Sequence, residues 1–382
     1  MNILRKHNIL AIFSNIDYAK EFVWYGKFID KSKFNLTCIF LNPSVAPIQL
    51  EIEALGVKTI NLPYRGKKDL LLTVLRLLKQ YIKLKPDIIH TQLFDASFAG
   101  LIAARILGIK NRISTRHHGD LHHKYHPHAV KYDAWINNWS KHIIAPSLQV
   151  AKVLIQEEKV CEKKITVIPH GFDFNEIMAV TPVMIAEVKE KYNLIGFPVI
   201  GTISRFTEWK GLTYTIKAFK ELLKLYPQAI LVMANAEGDL KEEILNQLQE
   251  IPVKCFRLIS FEKNIYALFE NFTVFVHVPV SLSAETFGQV YIEALALRVP
   301  SVFTLSGIAS EIENLSNYAE IVPYRNTEAI LEKLMVILEN LEEYKSKAIK
   351  GSLIVEKQFD FSLKIEKIEN IYNKLLNEQG KN

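Results

Sequence analysis

Two cations and two carboxylates in the second half of the chain carry residue types and spacings suited to chemistry. Arg205 and Lys210 are separated by four residues, and Gly211 follows directly. They come right after an apolar run at 199–204 that reads as a strand. Strand ends in α/β sheets point at the ligand crevice, and a helix opening at Gly211 would add an anion-attracting N-terminus. Such a loop suits a diphosphate; read alone, it is equally a turn with two solvated cations. Glu285 and Glu293 follow, with Gly288 between them. Eight residues make about 2.2 helical turns, so both carboxylates are expected to face one crevice. Glu293 is flanked by Ile292, Ala294 and Leu295. A carboxylate on an apolar face is costly unless it binds something. Acceptor-only groups suit the hydroxyls of a sugar or a ribose. The plainer alternative is that Glu285 caps a helix and Glu293 pairs with a core cation.

Six histidines form a second cluster: His117, His118, His122, His123, His126 and His128. Histidine is the commonest metal ligand. No spacing here matches a zinc pattern, however, and the surrounding Lys124, Tyr125 and Pro127 read as a loop. No metal is expected.

The elements that must position these residues alternate along the chain. In the first half, strands are expected at 8–13, 35–41, 57–62, 87–90, 112–115 and 142–145. Helices are expected between them at 17–29, 48–55, 67–84 and 96–107, with another at 148–156 capped by Ser147. The pattern restarts with strands at 199–204, 229–234, 255–258, 274–278 and 301–304. Helices are expected at 212–225, 239–250, 265–270, 287–297 and 327–340. This rhythm makes βαβ units and parallel sheets. The expected class is α/β, with two Rossmann-like doubly wound domains, 1–180 and 190–350, facing a central cleft. A tail at 351–382 carries a lone amphipathic helix at 362–376. The loop after the first strand, Ser14–Asp17, lacks the G-x-G-x-x-G of dinucleotide-binding oxidoreductases, which argues against a dehydrogenase.

With R-x₄-K-G ahead of it, the E-x₇-E pair resembles the signature of retaining glycosyltransferases of family four, which have the GT-B fold. The segments 86–91 (PDIIHT), 145–147 (APS) and 168–173 (IPHGFD) are similar to further family segments. The resemblance runs from about residue 86 to 305. It implies that Arg205 and Lys210, with Gly211 beside them, neutralise a donor diphosphate. It implies that Glu293 holds the ribose and Glu285 the donor sugar, while the backbone at Thr286, Phe287 and Gly288 touches sugar and phosphate. Catalytic roles would fall to Glu285 and to His117 or His118, between which the sequence does not choose. Asn15 and His90 would lie on the acceptor side. The resemblance implies no metal and no cofactor, with a UDP- or GDP-linked sugar as co-substrate. It also implies a tail helix that crosses back to the first domain. The chain departs from the pattern at Ser14–Tyr18 (usually glycine-rich), Gln92 (often His) and His170 (usually Asn).

Composition bounds the rest. The chain has 382 residues, 49% hydrophobic and 23% charged, enough for two cores without disulfides. Its three cysteines form no C-x-x-C pair, which suits a reducing compartment. The apolar run at 9–13 is too short for a signal peptide, and no stretch is long enough for a membrane span. The expected location is cytoplasmic, or peripheral at the inner face of the membrane. The net charge of +6 divides into +10 over residues 1–180 and −4 over the remainder. The basic half suits a phosphorylated or membrane-borne substrate; nucleic acid is the least needed partner. The Leu- and Lys-rich helix at 67–84 could touch an anionic membrane surface, or simply cover the sheet with snorkelling lysines.

The expected function is a retaining hexosyltransferase. It would move a sugar from a nucleotide diphosphate donor to a hydroxyl of a glycan or lipid-linked acceptor. The alternatives are a sugar-nucleotide epimerase or hydrolase of the same fold, a non-catalytic sugar-nucleotide-binding protein, and a metal hydrolase built on the histidines.

Overall fold

A computed structural model describes residues 5–379. The chain divides into two compact units, Met1–Phe172 with Phe361–Asn382, and Asp173–Asp360. Each is built on one parallel sheet, as the alternating pattern predicts.

The first unit holds seven strands: β1 His7–Ser14, β2 Phe34–Asn42, β3 Lys58–Pro63, β4 Ile88–Gln92, β5 Arg112–Thr115, β6 His142–Ala145 and β7 Ile165–Val167. Their spatial order is β3-β2-β1-β4-β5-β6-β7. The central strands are apolar throughout because helices cover both faces. The helices are α1 Lys20–Phe28, α2 Pro47–Ala54, α3 Leu70–Leu84, α4 Phe94–Ile106, α5 Leu121–Tyr125, α6 Val130–Trp139 and α7 Leu148–Lys152. Right-handed crossovers, with the direction reversing between β1 and β4, put α1 and α2 on one face and α3, α4 and α6 on the other. The contacts of α3 with α4, and of α4 with α6, agree. The C-terminal helix Phe361–Gln379 packs against α1.

The second unit holds β8 Val199–Ile203, β9 Ile230–Ala234, β10 Phe256–Ile259, β11 Val274–His277, β12 Ser301–Phe303 and β13 Glu320–Ile321. Their order is β10-β9-β8-β11-β12-β13. Strand order therefore reverses between β8 and β11 here, and between β1 and β4 in the first unit. Such switch points leave a crevice at the carboxyl ends of the two strands.

Three local departures have physical causes. The stretch left between the expected domains 1–180 and 190–350 falls in the helix Pro182–Lys191; Thr181 caps it through Oγ1 and Pro182 starts it. The helix expected at 148–156 widens into a π-turn at Val153–Glu157. The helix expected at 287–297 begins only at Gln289, because Gly288 adopts a left-handed φ of 85°. Among the described residues, no helix is long and apolar enough to cross a membrane.

Candidate active site

Two loops flank the β8/β11 switch point. One, 204–211, leaves β8; the other, 278–288, leaves β11. They are joined where the Val280 N–H donates to the Trp209 carbonyl at 3.0 Å. Gly211 makes this closeness feasible. Its φ is 70°, and a Cβ there would lie 2.0 Å from the Val278 carbonyl oxygen. No side chain fits that position, so the tight turn requires glycine.

The joined loops bring Lys210 and Glu285 together. Lys210 Nζ lies 2.5 Å from Glu285 Oε1, and His277 Nε2 lies 2.8 Å from the same oxygen. The Glu285 N–H donates to Ser306 Oγ at 3.1 Å, fixing the backbone. Glu285 is 7% exposed. Burial alone would raise its carboxyl, but the Lys210 ammonium and the His277 hydrogen bond outweigh it and hold it at about 2. His277 is pulled down by burial and is neutral, with the Nε2 hydrogen on Glu285. Its buried Nδ1 has no partner among the described residues.

Two capacities remain open. Glu285 Oε2 accepts no hydrogen bond among the described residues, so it can take a ligand hydroxyl. Lys210 keeps two of its three N–H donors. Arg205 is exposed on the same loop, without an ion-pair partner among the described residues. Gly288 caps the helix Gln289–Ala296 directly below. A Cβ on Gly288 would approach the Tyr291 ring to 2.7 Å. Backbone donors at a helix N-terminus beside two cations make an anion-binding surface.

Glu293 stands apart from this group. Glu285 lies in the loop and Glu293 in the helix, so the 2.2-turn argument does not apply to the pair. No hydrogen bond or ion pair among the described residues links Glu293 to Arg205, Lys210 or Glu285. Burial pushes its carboxyl up to about 7. Glu293, Glu176 and Asp173 all act on the Tyr266 hydroxyl, which burial has already raised far above its usual value. A carboxyl poised near neutrality, rather than a fixed anion, is what the fold supplies at 293.

The β1/β4 end of the first unit is built from neutral groups. His117 Nε2 lies 2.7 Å from Gln92 Oε1, which only accepts, so His117 carries its hydrogen on Nε2. Gln92 Nε2, a donor only, lies 3.1 Å from His90 Nε2, and the Thr115 hydroxyl reaches that nitrogen at 2.8 Å. His90 therefore carries its hydrogen on Nδ1 and donates to the Tyr372 hydroxyl at 2.6 Å. Tyr372 meets the Tyr25 hydroxyl at 2.6 Å. Burial lowers His90 to about 3 and His117 far below its usual value, with neighbouring imidazoles adding to the latter. The chain leaves His117 Nδ1 as a lone-pair acceptor with no hydrogen bond among the described residues. His90 itself is fully buried, so its side chain supports Gln92 and, through it, His117 from behind. Asn15 sits at the end of β1 with a φ of 52°, and its amide donates to Asp95 at 2.9 Å.

The structure separates the two candidate histidines. His118 turns away from Gln92 and contacts Asp133 Oδ1 at 2.9 Å, while His122 contacts Asp133 Oδ2 at 2.6 Å. The potential ligand atoms of these three residues lie within 4.8 Å of one another. The Arg116 guanidinium already occupies this cluster, bonding Asp133 and Glu158 and lying 2.9 Å from His118 Nε2. A second cation would have to displace it. Burial and Arg116 lower His118 to about 4, so the cluster is a neutralised support for the 116–122 loop.

Sequence reasoning missed His277, Ser306, Tyr372 and Tyr25. His277 had a signal, as the only polar residue closing the apolar run 274–277 at a strand end. The two tyrosines had none, because their partners are more than 280 residues away or buried in α1.

Comparison with known proteins follows the same division. The Glycosyltransferase Family 4 model matches residues 34–176, and the Glycosyl transferases group 1 model matches residues 185–352. The chain belongs to the GT-B glycosyltransferases. A capsular polysaccharide biosynthesis glycosyltransferase, CapM from Staphylococcus aureus, is 28% identical over 249 residues, 63% of each chain. The curated relatives are matched over less than two thirds of their own length. A solved glycosyltransferase from Rickettsia africae covers 97% of this chain and is itself covered over 99%, with a TM-score of 0.77 at 20% identity. Anabaena HepE, solved with UDP and glucose, covers 96% and is itself covered over 100%, with a TM-score of 0.82 at 17% identity. At these identities the solved GT-B structures speak for the fold alone.

Proposed function

We propose that this GT-B glycosyltransferase is a retaining hexosyltransferase using a UDP- or GDP-linked sugar. The observation that carries the reading is the Lys210–Glu285–His277 constellation at the β8/β11 switch point. It combines spare cationic donors with one free carboxylate oxygen. In this reading Lys210, Arg205 and the Gly288 end of the helix take the diphosphate. They stabilise the charge that develops as it leaves, the step for which preorganised donors are worth most. Glu285 Oε2 accepts a hydrogen bond from a hydroxyl of the transferred sugar. Glu293 accepts ribose hydroxyls once ionised. His117, not His118, accepts a hydrogen bond from a substrate hydroxyl through Nδ1. The acceptor attacks from the face the diphosphate leaves, so the anomeric configuration is kept. Neither metal nor cofactor is needed for these steps. The acceptor is a glycan or lipid-linked hydroxyl, and the enzyme works in the cytoplasm or at the inner face of the membrane.

The test is a thermal-shift screen with UDP, GDP and ADP sugars, followed by proton NMR of the product formed with the best donor. Stabilisation by one nucleotide class and an unchanged anomeric coupling are expected. An inverted coupling would refute retention, and no stabilisation by any of the three classes would refute the donor site.

A further inference from the structure

The +10 charge of the basic half does not lie at the β1/β4 crevice. Its cation near that crevice, Arg116, is already matched by Asp133 and Glu158. Part of the charge without an ion-pair partner among the described residues lies on the outer face of α3, α4 and α6. Leu71, Leu75 and Ile82 are 74%, 55% and 63% exposed on α3, at spacings of four and seven residues that place them along one stripe. Leu72 is exposed beside them, Ile106 ends α4, and Trp135 is exposed on α6. Trp135 belongs to an aromatic group with Phe98, Tyr132 and Trp139 that bridges α4 and α6.

Cations thread this apolar surface. Lys79 and Lys83 lie beside the leucine stripe, Lys85 and Arg105 lie at the helix ends, and Lys131 leans over Tyr132. Acids are lacking. Helix α3 has none, Asp95 of α4 holds Asn15, and Asp133 of α6 is buried against Arg116. The opposite face of the same sheet differs. There, exposed Glu53, Glu366 and Glu378 mix with Lys27, Lys367 and Lys374.

Exposed leucines usually mark a covered surface when they are contiguous. Apolar side chains interleaved with lysines, and flanked by an exposed tryptophan, suit the headgroup boundary of a bilayer. A protein partner would need acids matched to each lysine, whereas an anionic leaflet matches any arrangement. We infer that the α3–α4–α6 face docks on an anionic lipid bilayer. The stripe enters the headgroup region, and Lys79, Lys83 and Arg105 meet lipid phosphates. This extends the lipid-linked acceptor reading above, yet it is measured without donor or acceptor, so either can fail without the other.

The experiment is co-sedimentation of the full chain with vesicles of phosphatidylcholine alone and of phosphatidylcholine with phosphatidylglycerol, at low and high salt. The wild type should bind only the anionic vesicles, more weakly at high salt, with a blue shift of tryptophan emission that Trp135→Phe abolishes. Lys79→Glu with Lys83→Glu should lower binding at least 10-fold. Leu71→Ser with Leu75→Ser and Ile82→Ser should do the same, while circular dichroism and nucleotide binding stay unchanged. Equal binding to neutral vesicles, or binding unaffected by either variant, would overturn the proposal. So would a concentration-dependent dimer that the serine variant dissolves, because the face would then be a contact between copies.

Discussion

At the β8/β11 end of the second unit, Lys210 and Glu285 meet as ions; at the β1/β4 end of the first, His117, Gln92 and His90 meet as neutral groups. Both ends are switch points of parallel sheets, so topology does not account for the difference. Chemistry does. A leaving diphosphate carries charge, and only preplaced ions and dipoles can match it without reorganising. A hydroxyl that must be oriented needs an acceptor in a defined tautomer. A buried cation there would bind the wrong part of a substrate. In the first unit Arg116 and Lys364 are tied to carboxylates, whereas Lys79, Lys83 and Arg105 are displayed on its outer helices.

The largest expected effect breaks the ionic end. Lys210→Ala removes the charge that in the proposed function faces the diphosphate, and it leaves Glu285 buried without its ammonium partner. We expect kcat to fall by about 10²–10³-fold, the usual loss for one preorganised transition-state donor. Calorimetry should show weaker nucleotide diphosphate binding in the same variant. Full activity with unchanged affinity would show that the charged pair is structural.

Much of the ionic end was legible in the sequence, because its residues lie in two short loops after strands, and strand ends are readable from apolar runs. Arg205, Lys210, Gly211 and Glu285 could be singled out from residue type and spacing, but spacing alone left a turn of solvated cations and a helix cap open, and only the family resemblance gave them roles. Glu293 was legible as a carboxylate on an apolar helix face, and is half-buried there, but was not legible as a separate site. The helix start depends on the backbone of Gly288, which spacing does not reveal. The neutral end was scarcely legible. Its hydrogen bonds join His90 to Tyr372 across 282 positions, and no local pattern encodes a contact of that range. The α3–α4–α6 face was half legible. The leucines and lysines of α3 were plain, but whether they were covered depended on how α4 and α6 pack beside it.

A second prediction concerns Glu293. Its carboxyl is raised from 4.5 to about 7 by burial, so the folded state holds a proton that the unfolded chain has released. Stability contributed by this group is therefore greatest below pH 4.5 and is lost as pH rises to 7, at most about 3 kcal/mol. Urea unfolding at pH 5 and pH 8 should show the decline, and Glu293→Gln should flatten it. Nucleotide at pH 8 should restore part of the loss in the wild type only, if ribose hydroxyls bind the ionised form. A wild type and variant with the same pH dependence would remove Glu293 from this role.

The smallest effect tests the neutral end. Gln92→Leu preserves bulk but removes the acceptor that fixes the Nε2 hydrogen of His117 and the donor to His90. His117 can then place its hydrogen on Nδ1, where it no longer accepts from a hydroxyl. We expect kcat to fall about 10-fold, of the order seen for one hydrogen bond, with donor KM nearly unchanged. Nitrogen-15 NMR of the histidine rings should show a mixture of tautomers in place of one. Gln92→Glu provides the opposite sign. A carboxylate beside His117 favours the imidazolium, so its pKa rises and the acid limb of the pH–rate profile should move to higher pH. A packing role alone would predict that both variants lower stability and leave the acid limb where it was. The movement of that limb therefore decides whether Gln92 positions His117 or merely fills space.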